Sequence, residues 1–242
     1  MKHLSQRLLL FAMALLVLLV MLFLAVRFGG QAFRRWRTIR SRHEIFDAWY
    51  HNPAAYADWE IKAGERCGDA PFAFPTDGFI GFLWDDSFRM GHRHQGLDIF
   101  GGEGLGVTAV VVAYPGYLTR QDDWKSTVAI YLPEDPLHPG QAVWTYYTHL
   151  AAPDGTSYIV DDFPPGTEAQ YVEAGTLLGY QGNYSGDPNN PVGIHLHFSI
   201  VKPDQAGKLM NELDIRNTLD PSPYLGLNVS ARRNWGEVPV CP

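Results

Sequence analysis

The stretch Gly193-Ile194-His195-Leu196-His197-Phe198-Ser199-Ile200 sets two histidines one residue apart in an apolar run. On a helix, residues two apart diverge by roughly 200°, whereas on a strand they share one face with side chains about 7 Å apart. The branched and aromatic residues, preceded by the turn-forming Tyr184–Gly193 (YSGDPNNPVG), predict a strand over Ile194–Val201. Both imidazoles then serve one centre, as two ligands or as one ligand and one acid/base. Alone, a structural pair with one ring buried and hydrogen-bonded fits as well.

The same texture extends back along the chain. From Pro71 onward short apolar runs alternate with Gly, Pro, Asp and Asn, and Val107–Ala113, Thr127–Leu132, Val143–Leu150 and Thr176–Tyr180 read as strands. No amphipathic helix interrupts them, so the fold class is mainly β, an antiparallel sheet domain. Leu132–Gln141 and Ala151–Gln170 read as long loops, of the kind that shape a groove or sit as surface insertions.

Two further polar groups lie in that frame. In "GHRHQGLDIF", His94, Gly96 and Asp98 share a face if extended, and the glycine removes the side chain that would stand between histidine and carboxylate. With a later histidine they form a His/Asp/His set with an open fourth position, the donor chemistry of a catalytic zinc site. His92 is the competing ligand, at a spacing to Asp98 that lacks this geometry. His149, in Thr145–Leu150 (TYYTHL), is on its own an ordinary histidine of a β-rich segment.

In order, His94-x-Gly-x-Asp98, Tyr147-x-His149-Leu, Gly182-Asn183 and His195-Leu-His197-Phe resemble the lysostaphin-like zinc metallopeptidases that cut peptidoglycan peptides. The resemblance covers about 74–203 and includes Gly101–Val107 and Ala174–Asn183. It implies zinc held by His94, Asp98 and His197, with His149 and His195 as catalytic histidines, on an antiparallel sheet whose groove carries the metal at its floor. No His-Glu-x-x-His helix supplies a glutamate base, so one of His149 and His195 is the expected general base and the other the oxyanion stabiliser. Two departures stand out. Phe88 occupies the place, six residues before His94, where some members carry a tyrosine hydroxyl, leaving Arg89, Arg93 or a backbone amide as substitutes. The connection from Asn183 to His195 is also longer than usual. Zinc peptidases of the D-alanyl-D-alanine type use a longer His-to-Asp spacing. A non-catalytic wall-binding module that activates another hydrolase is the alternative from a different class, against which all five filled positions count.

Ahead of this domain, Leu8–Val26 is 19 residues without a charge, about 28 Å as a helix and enough to cross a bilayer. It is longer than the usual apolar region of a signal peptide and leads into Arg27-Phe28-Gly29-Gly30, a poor cleavage site, so an uncleaved anchor is expected. Residues 1–42 hold eight of the 19 lysines and arginines and none of the 26 acids, leaving 11 bases against 26 acids, a balance of −15. An acidic soluble part excludes nucleic acid as partner. The basic segment, with Phe33 and Trp36 at helical spacing, reads as lying on anionic headgroups or as a solvated stalk. The six arginines after the apolar run argue for a cytoplasmic domain. Cys67 and Cys241, able to close a disulfide outside the cytoplasm, argue the opposite, as does a substrate in the wall. The expected organisation is a tail 1–7, a transmembrane helix 8–26, a basic juxtamembrane segment and short helical stalk 27–70, and an extracytoplasmic metallopeptidase domain 71–242, its partners being peptidoglycan, the membrane and an unidentified protein activator.

Overall fold

The computed structural model describes residues 2–86, 92–230 and 233–242. It opens with one helix, α1 (Lys2–His51), 50 residues long. The apolar segment and the helical part of the expected stalk are therefore one continuous rod where separate helices were expected. The cause is local: the first proline in the chain is Pro53, and the residue before a proline is excluded from helical backbone, so nothing stops α1 earlier. A 3-10 turn over Pro53–Trp59 follows. Within α1, Leu10–Arg27 is long and apolar enough to cross a membrane or to act as a signal sequence, and its side chains are exposed.

The strands are β1 (Glu60–Ile61), β2 (Gly78–Phe82), β3 (Leu97–Phe100), β4 (Ala109–Val111), β5 (Gly116–Arg120), β6 (Val128–Leu132), β7 (Val143–Thr148), β8 (Thr167–Val172), β9 (Leu177–Tyr180), β10 (Leu196–Val201) and β11 (Thr218–Leu219). Nine form an antiparallel sheet in the order β1-β2-β3-β10-β7-β6-β5-β8, with β11 pairing β10, while β4 and β9 make a separate ribbon. The fold is mainly antiparallel β behind an N-terminal apolar helix. Sheet pairing starts at Glu60, ahead of Pro71, because β1 pairs β2 and buried Cys67 is disulfide-bonded to Cys241. The end of the loop expected over Ala151–Gln170 is strand β8, whose exposed side chains hide it from a hydrophobicity reading.

Central β10 is buried along its whole length, and β7 alternates buried and half-buried residues. Register places His197 opposite both Asp98 of β3 and Thr148 of β7, so one face of three adjacent strands carries the polar constellation. The opposite side packs a core that includes Leu97, Ile99, Tyr147, Phe198 and Ile200. A second apolar cluster, Trp49, Phe79, Phe82 and Phe100 with Ile45 and Phe46 against it, seats the end of α1 on β2 and β3. Arg42 of α1 is fully buried there, donating to the carbonyls of Trp235 (2.6 Å) and Glu237 (3.3 Å) and ion-paired with Asp86 at 3.3 Å. This arginine belongs to the fold, and not to a headgroup-facing basic surface.

Candidate metal centre

His94 Nε2, Asp98 Oδ1 and His197 Nδ1 stand 2.9, 3.0 and 2.8 Å from one another. They are the one such His/Asp/His group among the described residues, and all three side chains are buried. Donors around a tetrahedral ion with bonds of about 2.0–2.1 Å stand about 3.3 Å apart, so an outward shift of a few tenths of an ångström admits zinc. The donor chemistry fits as well: two imidazoles and a carboxylate, with the fourth direction facing a groove of about 410 Å³.

The outer contacts fix which atom each ligand presents. His94 Nδ1–H donates to the Leu83 carbonyl at 3.0 Å, which leaves Nε2 for the ion. His197 is held the other way round, with Nε2 2.9 Å from Glu212 Oε1 and 2.8 Å from Ser199 Oγ, while Ser199 Oγ–H donates to the same Glu212 oxygen at 2.6 Å. Sequence reasoning missed Glu212 and Ser199. Ser199 was recoverable, since it shares a strand face with His197 two residues away. Glu212 was not, because it arrives from the loop between β10 and β11 with no motif spacing to announce it. That loop is tied to the ligand segment by Gln95 Nε2, which donates to the Leu213 carbonyl at 3.0 Å.

The glycine between His94 and Asp98 has a different purpose from the one its spacing suggested. A Cβ on Gly96 would meet the Phe198 carbonyl oxygen at 2.3 Å and Ser199 Oγ at 2.7 Å, so the glycine lets the His94 segment lie against β10.

The other two histidines stand beside the donors. His195 Nδ1–H donates to the Gly193 carbonyl at 2.7 Å, its Nε2 lies 3.3 Å from Asp98 Oδ1, and its ring stacks on Phe100 at 4.9 Å. His149 Nδ1–H donates to the Tyr184 carbonyl at 2.7 Å, and its ring lies 4.6 Å from that of His195. Its φ of 73° puts a non-glycine residue in left-handed backbone at the end of β7, a strained turn that aims the imidazole into the groove. His92 lines the groove, but it is not in the donor group. Arg93 pairs with Asp85 and lines a different cavity with Trp84 and Arg216. Phe88 and Arg89 lie outside the described residues.

Charge follows from this packing. Burial alone would raise Asp98, but the surrounding His94 and His195 hold its carboxyl well below the usual carboxylate range. Burial likewise opposes charge on His197, yet Glu212 and Asp98 on either side raise it to about 10. His149 is lowered to about 3, chiefly by burial and then by His195 and His197.

Among solved structures, a protein assigned as the glycyl-glycine endopeptidase lytM from Ruminococcus gnavus is similar over 53% of this chain and 44% of its own, at 21% identity and a TM-score of 0.36. A point mutant of the catalytic domain of the prophage-encoded M23 protein EnpA from Enterococcus faecalis is similar over 62% of this chain and 94% of its own, at 18% identity and a TM-score of 0.35. This chain thus spans less than half the length of the first. No protein-family profile and no curated protein matches the sequence.

Proposed function

We propose that this protein is a membrane-anchored, extracytoplasmic zinc endopeptidase that hydrolyses amide bonds in peptidoglycan peptides. One observation carries the reading: His94 Nε2, Asp98 Oδ1 and His197 Nδ1 converge within 3.0 Å on the floor of an open groove, with two more imidazoles alongside. The order of these residues in the chain is the order of the lysostaphin-like motifs. Residues 8–26 form the span and the β domain beyond α1 carries the site. The Cys67–Cys241 disulfide supports an oxidising compartment, and burial of Arg42 removes one arginine from the charge count that argued for the cytoplasm.

Zinc bound by the three donors would lower the pKa of a water in the fourth position to about 7 and polarise the substrate carbonyl. His149, kept neutral by burial, offers Nε2 as the acceptor of the proton lost by the attacking water, since its Nδ1–H is committed to Tyr184. His195 also presents Nε2, 3.3 Å from Asp98, and in its doubly protonated form hydrogen-bonds the developing oxyanion, while the proton taken up by His149 passes to the leaving amine. Glu212 and Ser199 hold the His197 ring so that Nδ1 faces inward.

Incubating the full chain in detergent with zinc and purified sacculi tests this reading. Soluble muropeptides should appear, and should vanish with a chelator or with His195→Ala, which keeps its zinc. His197→Ala should lose zinc. Intact sacculi beside fully zinc-loaded protein would refute the endopeptidase and leave a wall-binding module.

A further inference from the structure

The walls of the metal groove carry little positive charge. Among the described residues, Lys125 is the one lysine or arginine that lines it. Other cations of the domain are engaged elsewhere: Arg93 with Asp85, Arg216 with Asp214, Lys62 with Glu60 and Arg42 with Asp86. Lys125 has no carboxylate within 4.0 Å among the described residues, although its charge reaches exposed Asp154, and its ammonium lies 5.8 Å from the centre of the Tyr184 ring.

Its side chain is exposed and its stem passes beside the Gly155 turn. Gly155, at φ +88°, faces the lysine so closely that a Cβ there would meet Lys125 Cδ at 2.7 Å and Nζ at 3.2 Å. The left-handed backbone at residue 155 favours glycine, and the lysine stem runs close to that turn on its way to Tyr184. The Tyr184 carbonyl in turn receives the Nδ1–H of His149. Lys125, Tyr184 and His149 are thus neighbours in the lining of the groove, which Glu212 and Leu213 also line. Residues 43–242 carry a balance of −15 and Asp123 also lines the groove, so Lys125 is the one cationic side chain there that favours a carboxylate.

We propose that Lys125 is a specificity-determining residue that binds a free carboxylate of the substrate peptide, next to the cleaved amide and on the Tyr184–His149 side of the groove. The contact is an ammonium–carboxylate pair at a half-open rim, without a covalent step. It rests on the peptidoglycan endopeptidase reading given above and adds the substrate feature that reading lacks.

The test uses the full chain in detergent with zinc and two probes, native sacculi and sacculi whose free carboxyls have been converted to carboxamides. Two quantities are measured, the initial rate of muropeptide release and retention of the protein on the insoluble wall. For the unaltered protein, amidation should cut the rate by about 5- to 10-fold at low salt, and the difference should shrink as salt screens the pair. Lys125→Ala should keep its zinc and process both probes at the same slow rate. Lys125→Arg should restore the preference. Equal rates on the two probes for the unaltered protein, or a preference that survives in Lys125→Ala, would overturn the proposal. If nothing is cleaved, the endopeptidase reading falls, and retention decides the lysine separately. Binding that drops on amidation and in Lys125→Ala upholds it, and binding indifferent to both rejects it.

Discussion

Glu212 shows how a residue far from any motif sets the chemistry of one inside it. Buried with His197 and Ser199, it accepts the Nε2–H of His197 and so favours the doubly protonated ring in the metal-free protein, whose Nδ1 proton, facing Asp98, must leave for zinc to bind. The folded-state value, about 10, lies above the ordinary 6.5, so this pairing contributes stability that is fully present below pH 6.5 and is lost as pH rises through about 10. His149 has the opposite sign: depressed to about 3, it contributes stability above pH 6.5 that is lost as pH falls toward 3. Zinc uptake between pH 7 and 9 should therefore release a proton from His197, with apparent affinity rising about tenfold per pH unit. Glu212→Gln should flatten that slope, and an indicator-competition titration at three pH values checks it; an unchanged slope would free Glu212 from the role. The pairs His94 with Asp98 and His195 with His197 were legible because β geometry converts short spacings into shared faces, whereas His149 stood out only through the ordered motifs of the family it resembles. Glu212 was illegible because a loop brought it there.

At the level of elements, β4, β6, β7, β9 and β10 begin and end within two residues of expectation, whereas β2, β3 and β5, buried or alternating though they are, were not singled out as strands. Exposed β8 and two-residue β1 and β11 carry no comparable signal, since their identity comes from neighbours supplied by the tertiary fold. For α1 the difficulty lay in partition. Charge and hydropathy divide it into anchor, basic patch and stalk, whereas backbone continuity depends only on the lack of a breaker before Pro53. Arg42 joins this helix to the domain. Replacing it with Ala leaves the Asp86 carboxylate buried and two carbonyls without their donor, a loss of about 3–5 kcal/mol. A thermal melt of the zinc-free protein should show the drop, and an unchanged midpoint would mean that α1 is only loosely seated.

Across the molecule, the Cys67–Cys241 bond ties the entry of the domain to its C-terminal tail across 174 residues. A cross-link closing so long a loop removes about 5 kcal/mol of chain entropy from the unfolded state in the loop-closure account. Reduction, or Cys67→Ser with Cys241→Ser, should lower the denaturation midpoint sharply while leaving zinc content at low temperature unchanged; equal midpoints with and without reductant would contradict it. The pair was visible in the sequence, but its closure depended on a fold that carries residue 241 back beside residue 67. Continuity of α1 has a consequence of the same reach. The helix rises about 22 Å from Arg27, where the apolar stretch ends, to Arg42, where the domain grips it. Under the proposed function, a hydrolase head on a mast of fixed length would work at one altitude, in a thin layer of wall above the bilayer, with more distant layers beyond its reach.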